Sequence, residues 1–190
     1  SEIMAGNTTH LTDTLSDGSV VSLNRNSGVV LAHQFNKQER RMRLRGEGYF
    51  KVTPDKSRPF VVEVNQLEVV VVGTEFNVDD QSVADQIVVT VTEGKVMLKS
   101  AQQTEYVTPG QQAFYDKKTG KITVQTTPDP NVTAWKTRRF LFDETPLSAV
   151  AQQIGAVYGV KIDFANPALA QCRLSARYEN LPLERVLNLI

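Results

Sequence analysis

The chain has 190 residues, of which 41% are hydrophobic, and its 21 basic and 21 acidic residues give a formal net charge of zero. A chain of this length forms one large domain or two small ones. It buries enough surface to fold without stabilising disulfides or metal ions. The neutral balance lacks the basic excess that nucleic-acid binders usually carry, and a single cysteine excludes an intramolecular disulfide.

The first two thirds of the chain alternate with period two. Short runs rich in Val, Leu, Phe and Thr are separated by turn residues, and Asp17-Gly18 is a hairpin signal. The predicted strands are 19–24, 28–32, 41–52, 60–64, 66–73, 74–78, 86–94, 95–100, 111–116 and 121–125. Many short strands with no helical window between them predict an all-β sandwich or roll.

The stretch RLRGEGYFKV, residues 43–52, has two glycines in what otherwise reads as one strand. The alternation keeps its phase across Gly46 and Gly48, which places both on the inward face, where a missing side chain permits a bend or a close backbone approach. A phosphate-binding loop would need a helix directly after the glycines. Because Phe50-Lys51-Val52-Thr53-Pro54 cannot begin one, we expect a strand and not a phosphate site.

The composition changes at QTTPDPNVTAW, residues 125–135, where Pro128 and Pro130 favour an extended linker. Beyond it, residues 146–159 place apolar side chains on one helical stripe, with Thr145 as the predicted N-cap and Gly159 as the stop. We expect strands at 139–142, 160–164 and 172–178, and a second helix from 182. The predicted domains are therefore 1–126, all β, and 135–190, α+β, joined by a linker at 127–134.

The second domain contains an internal repeat. Five positions recur at an offset of 36 residues: Phe142, Pro146, Leu147, Val150 and Ile154 return as Tyr178, Pro182, Leu183, Val186 and Ile190. One strand–helix unit is therefore used twice. The expected fold class is an all-β sandwich or roll followed by a small α+β domain of two βα repeats, with helices on one sheet face. We also expect the second domain to be cut short at its C-terminus, leaving one sheet edge open.

No reactive constellation stands out in the sequence. His10 and His33 lie far apart, outside any cluster with the spacing of zinc ligands. Cys172 alternates in phase with the inward positions of its strand, so we expect a buried, inert thiol. We predict no catalytic residues, no metal site, no cofactor and no enzymatic activity.

A local basic stripe precedes the first glycine. It consists of Arg40, Arg41, Arg43 and Arg45. Aromatic residues for base stacking are not interleaved with these arginines. A solvated strand face with edge-protecting charges is therefore favoured over an anion or nucleic-acid site.

The motifs, taken in order, resemble a known family. LSDGSVVSLNRNS (15–27) is similar to its opening motif, and RLRGEGYFKV resembles its GEAYFxV strand, with Gly48 replacing the usual Ala. The motifs PFVVEV (59–64), VVGTEFNV (71–78), TEGKVML (92–98), TPGQQAFYD (108–116) and AWKTRRFLFDETPLSAV (134–150) follow in the family's order. The chain therefore resembles the periplasmic region of FecR anti-sigma regulators, in the form common in Bacteroidetes.

The resemblance implies a signalling role. A full-length member has a cytoplasmic segment that holds an extracytoplasmic-function sigma factor, one membrane helix and this periplasmic region. The signalling domain of a TonB-dependent outer-membrane receptor contacts the C-terminal domain, which resembles the short N-terminal domain of secretins and TonB receptors. The expected localisation is the periplasm, with anchoring to the inner membrane. Sigma-factor binding and membrane insertion would use segments absent from this sequence.

A small α+β module with an exposed sheet edge suits β-augmentation, in which a partner's strand adds main-chain hydrogen bonds. We expect docking along the edge or face formed by 139–142 and 172–178. The candidate contact residues are Arg138, Phe140, Arg173, Arg177 and Tyr178.

A competing hypothesis is that the β-domain binds a glycan or peptide directly. That function would need exposed aromatic side chains in a groove, and the candidates are Tyr49, Tyr106 and Tyr115. A deep aromatic-lined pocket would favour it over docking to a receptor.

Overall fold

The computed structural model describes residues 1–7, 10–126 and 129–190, and it divides the chain into two compact units, Ser1–Pro128 and Asp129–Ile190. Part of the predicted linker, including Pro128, lies outside the described residues. From Asp129 onward the backbone forms turns and then a short helix. Asn131 and Ala134, which the linker prediction included, are buried.

The first unit consists of two seven-stranded sheets. Its strands are β1 Glu2–Met4, β2 Leu11–Thr14, β3 Val20–Leu23, β4 Gly28–Leu31, β5 Arg40–Arg45, β6 Glu47–Lys51, β7 Phe60–Val64, β8 Leu67–Val71, β9 Glu75–Asp79, β10 Gln86–Glu93, β11 Val96–Lys99, β12 Thr104–Val107, β13 Gln112–Asp116 and β14 Ile122–Gln125. One sheet has the order β1-β4-β5-β7-β8-β11-β12 and the other β14-β13-β10-β9-β6-β3-β2. The all-β sandwich is confirmed.

Alternation builds the core of this unit. In β8, Leu67, Val69 and Val71 are buried while the residues between them are half-buried. Every neighbouring pair of strands is antiparallel except β5 and β7, which are parallel. Inward apolar side chains from both sheets form one cluster that includes Phe50, Phe60 and Phe76. The three short strands β1, β2 and β12 were not predicted, because few of their residues are buried.

The two glycines of RLRGEGYFKV do not lie within one strand. Gly46 has φ +88°, and there the chain leaves β5 in one sheet and enters β6 in the other. A Cβ atom at Gly46 would lie 2.3 Å from the Ser27 hydroxyl oxygen, which accepts a hydrogen bond of 2.8 Å from the Glu47 amide. The single strand predicted for 41–52 was wrong at this crossing. A strand and no helix follows the glycines, as the sequence predicted.

The second unit is a two-stranded antiparallel sheet with helices packed on one face. Its elements are α1 Ala134–Thr137, β15 Arg139–Pro146, α2 Leu147–Tyr158, a 3-10 helix Pro167–Gln171, β16 Arg173–Glu179 and α3 Leu183–Leu187. The repeat appears as β15–α2 followed by β16–α3, and its core holds Phe142, Val150, Ile154, Tyr178 and Val186. The predicted α+β class is confirmed.

Three local predictions for this unit were wrong. Residues 160–164 form no strand, because no neighbouring strand in the described chain pairs with them. The N-cap of α2 is Pro146 and not Thr145, whose hydroxyl bonds to Asp143. Cys172 is exposed, since β16 begins only at Arg173 and the strand alternation does not reach it.

Candidate partner-binding site

The sheet of the second unit has one buried and one exposed face. Phe140 and Phe142 of β15 and Tyr178 of β16 point into the core. On the opposite face Leu141 is 51% exposed and lies across from Arg177, while Arg139 lies across from Glu179. Among residues 129–190 the helices pack on the opposite face, and the side chains on this side are exposed to solvent.

Two of the five predicted contact residues belong to the core. Phe140 is 2% and Tyr178 is 4% exposed, and their rings pack against Tyr158 and Phe142. Burial raises the pKa of Tyr178, and its hydroxyl has no hydrogen-bond partner among the described residues. The expectation that Phe140 and Tyr178 are surface contacts is therefore corrected, because strand alternation turns both rings inward.

The three predicted arginines are exposed, but they do not form one cluster. Arg138 follows α1 with φ 52°, and its guanidinium lies 5.4 Å from the centre of the Tyr158 ring. Arg177 binds the Glu179 carboxylate at 2.7 Å. At the other end of β16, Arg173 donates a hydrogen bond of 2.6 Å to the Glu144 carbonyl oxygen. Of these residues, Arg173 and Arg177 lie on the same strand.

The outer edge of β15 is covered by side chains that sequence reasoning missed. Asn131 accepts a hydrogen bond of 2.7 Å from the Leu141 amide and donates one of 3.0 Å to the Leu141 carbonyl. Thr137 and Thr145 accept bonds from the amides of Arg139 and Asp143, each at 3.2 Å. Their sequence signal is weak, since Asn and Thr are ordinary linker and turn residues.

The tyrosines of the competing hypothesis do not line one groove. Tyr115 is 2% exposed in the core, whereas Tyr106 is 53% exposed on β12 of one sheet and Tyr49 is buried on β6 of the other. Burial, together with a hydrogen bond donated to the Glu75 carboxylate, raises the pKa of Tyr49 to about 12. Direct glycan or peptide binding through these rings therefore has no structural support.

The predicted basic stripe is partly internal. Arg40 is 1% exposed, and its guanidinium forms an ion pair with Asp17 and hydrogen bonds with backbone carbonyls. Arg41 meets the carboxylates of Glu39, Glu63 and Glu68. Arg43 is exposed but also lies 3.6 Å from the Glu63 carboxylate. Three of the four arginines therefore meet an acidic partner, and a solvated stripe describes only the exposed side chains of Arg43 and Arg45.

The described residues hold no group of three or more His, Cys, Asp or Glu side chains placed to bind a metal ion. No helix in the described ranges is long and apolar enough to cross a membrane.

Comparison with known proteins finds a family match in each of the two units. The model of the FecR protein family matches residues 1–97, and the model for the FecR C-terminal region matches residues 139–190. Two crystal structures of a candidate anti-sigma factor from Parabacteroides distasonis ATCC 8503 are similar, with 28% and 29% identity and a TM-score of 0.74 each. Both alignments cover 100% of this chain and 89% of the other. No curated protein matches the chain.

Proposed function

The chain belongs to the FecR protein family of anti-sigma regulators, and on this premise we propose that it is the periplasmic, signal-receiving part of a transmembrane anti-sigma factor. In this proposal it relays ligand occupancy of a TonB-dependent outer-membrane receptor to an extracytoplasmic-function sigma factor. The sigma factor and the membrane are reached through segments outside residues 1–190.

The exposed sheet face of the second unit carries the proposal. This face lies within the region matched by the FecR C-terminal model and combines an exposed apolar side chain, Leu141, with the charged groups of Arg139, Arg177 and Glu179. An apolar centre with a polar rim is the usual anatomy of a protein–protein contact. Recognition of a receptor domain uses such a surface, and it needs no reactive group.

The first unit is held together by its core and by a buried ion pair. Its two sheets bury a continuous apolar core, and its Arg40–Asp17 ion pair ties the hairpin of β2 and β3 to the start of β5. In this proposal the receptor docks on residues 129–190, where the exposed sheet face lies.

The proposal is tested by capture of the purified chain on immobilised receptor domains. The probe is the N-terminal signalling domain of the TonB-dependent receptor encoded beside the gene for this chain. Selective retention on that domain, and not on the signalling domain of a receptor encoded elsewhere in the genome, is expected. Equal or absent retention on both domains would contradict the relay.

A further inference from the structure

We propose that Asn131 is a positioning residue for docking: it closes the outer edge of β15 at Leu141 and holds Leu141 as the central apolar contact of the exposed sheet face. The receptor's domain then packs on this face and adds no strand to β15. This inference rests on the proposed function and deepens it, because it names the residue that the partner buries and the residue that holds it in place.

The side chain of Asn131 takes the place of a neighbouring strand at Leu141. It accepts a hydrogen bond of 2.7 Å from the Leu141 amide and donates one of 3.0 Å to the Leu141 carbonyl oxygen. A residue of an adjacent antiparallel strand would exchange the same two bonds. The amides two residues to either side of Leu141 donate to the side chains of Thr137 and Thr145. A strand adding to β15 would lose all these bonds, so this edge is closed to pairing.

Asn131 is itself fixed by further hydrogen bonds. It is 8% exposed, and its side-chain amide also donates a bond of 2.7 Å to Gln153 of α2. Its backbone amide donates to the Asp129 carboxylate at 2.9 Å, and its carbonyl oxygen accepts from the Ala134 amide at 2.8 Å. Because a fixed side chain bonds both backbone groups of Leu141, the place of Leu141 in the sheet is fixed as well.

Leu141 is the apolar side chain at the centre of the exposed face. It is 51% exposed and lies across from Arg177. Arg139 and Asp143 lie two residues to either side of it and therefore point to the same face. An aliphatic side chain that enters a pocket of the partner gains affinity from burial, and its strand holds it ready for that contact.

The charges around Leu141 balance. The carboxylates of Asp143 and Glu144 contact the Ser175 hydroxyl at 3.4 Å and 3.2 Å, which places both on the exposed face. The face therefore carries three arginines and three carboxylates, which are Arg139, Arg173, Arg177, Asp143, Glu144 and Glu179. Balanced charges orient a partner more than they attract it. The occupant is thus a folded protein domain with an apolar pocket for Leu141 and a rim of both charge signs.

Two leucines of similar exposure test the apolar contact. Leu141 is 51% exposed on the sheet face, and Leu169 is 45% exposed on the 3-10 helix. In calorimetric titration with the signalling domain of the proposed TonB-dependent receptor, Leu141→Ala should weaken binding at least about fivefold, because part of a leucine side chain leaves the contact. Leu169→Ala should weaken it less than about twofold. Equal affinities of the two variants would overturn the inference and leave the proposed function intact.

A second pair of variants separates positioning from general stability. Asn131→Ala and Gln153→Ala both remove the hydrogen bond between these side chains, but only Asn131→Ala removes the two bonds to Leu141. We expect Asn131→Ala to bind the same domain at least about threefold more weakly than Gln153→Ala, since Leu141 is then no longer held. Urea unfolding establishes that both variants are folded under the conditions of the titration.

The remaining outcomes are also decisive. Equal affinity of Asn131→Ala and Gln153→Ala would overturn the positioning role of Asn131. Tighter binding by Asn131→Ala would mean that the partner adds a strand at the opened edge of β15, and it would overturn docking on the face. Failure of the unmodified chain to bind would overturn both this inference and the proposed function.

Discussion

The guanidinium of Arg40 lies 2.9 Å from the carboxylate of Asp17, and the two side chains are only 1% and 2% exposed. Arg40 also donates hydrogen bonds to the carbonyls of Thr53 and Arg58, and its guanidinium lies 5.4 Å from the centre of the Phe60 ring. A buried arginine is tolerated only when it is paired and its donors are satisfied. This pair therefore fixes the turn of the β2–β3 hairpin against the start of β5.

Asp17→Ala should lower the free energy of unfolding by about 3–5 kcal/mol, because it leaves the buried charge of Arg40 without its partner. Asp13→Ala, on the exposed strand of the same hairpin, should lower it by less than about 1 kcal/mol. Urea denaturation of the two variants measures the difference. Equal loss in both would show that the ion pair contributes nothing.

Gly46→Ala should destabilise the first unit more than Gly110→Ala does. Both glycines have positive φ, +88° and +84°, so alanine is strained at either position. Only at Gly46 would the added Cβ meet Ser27, at 2.3 Å, whereas at Gly110 nothing lies within 4 Å. We expect a difference of at least about 1 kcal/mol in thermal or urea unfolding. Similar losses would mean that Ser27 moves aside.

Tyr49 should make stability fall between pH 10 and pH 12. Burial raises its pKa to about 12 in the folded chain, against about 10 when unfolded. The folded state therefore holds a proton that the unfolded state has lost, and the free energy of unfolding declines as pH rises through this window. Tyr49→Phe should flatten the decline in urea titrations across this range. Tyr106→Phe, at an exposed position, should leave the decline unchanged.

Asn131→Ala should loosen the outer edge of β15. It removes both hydrogen bonds to the Leu141 backbone and one of 2.7 Å to Gln153, at an expected cost of about 1–3 kcal/mol. The Leu141 amide should then exchange faster with solvent. Asn166→Ala, which removes an exposed cap from the 3-10 helix, serves as the control. Unchanged exchange at Leu141 would contradict the role of Asn131.

The alternation of apolar residues predicted most of the fold. The spacing of the apolar residues alone predicts the inward positions of β7 and β8. It also predicts the repeated apolar positions from Phe142 to Ile154, because burial of one face imposes the period directly. The crossing at Gly46 was missed because the alternation keeps its phase while the chain changes sheets. The two-residue alternation of apolar side chains shows which residues face the core, but it does not show which sheet a strand joins.

The candidate site was harder to predict. Arg40 read as one of a solvated stripe, since its burial depends on Asp17, 23 residues earlier. Phe140 and Tyr178 were placed on the binding surface although the alternation of their strands turns them into the core. Asn131 covers the outer edge of β15 by accepting a hydrogen bond from the amide of Leu141, ten residues further along the chain. The sequence carries no periodic signal for such a contact.

A calorimetric titration of the unmodified chain with the signalling domain of the proposed TonB-dependent receptor tests the central claim most directly. We predict saturable binding that weakens about tenfold or more when Arg173→Glu and Arg177→Glu reverse the charge of β16, with urea unfolding confirming that the variant folds. The absence of binding by the unmodified chain would contradict the relay, and equal affinity of the variant would remove the face that carries Arg173 and Arg177 from the docking surface.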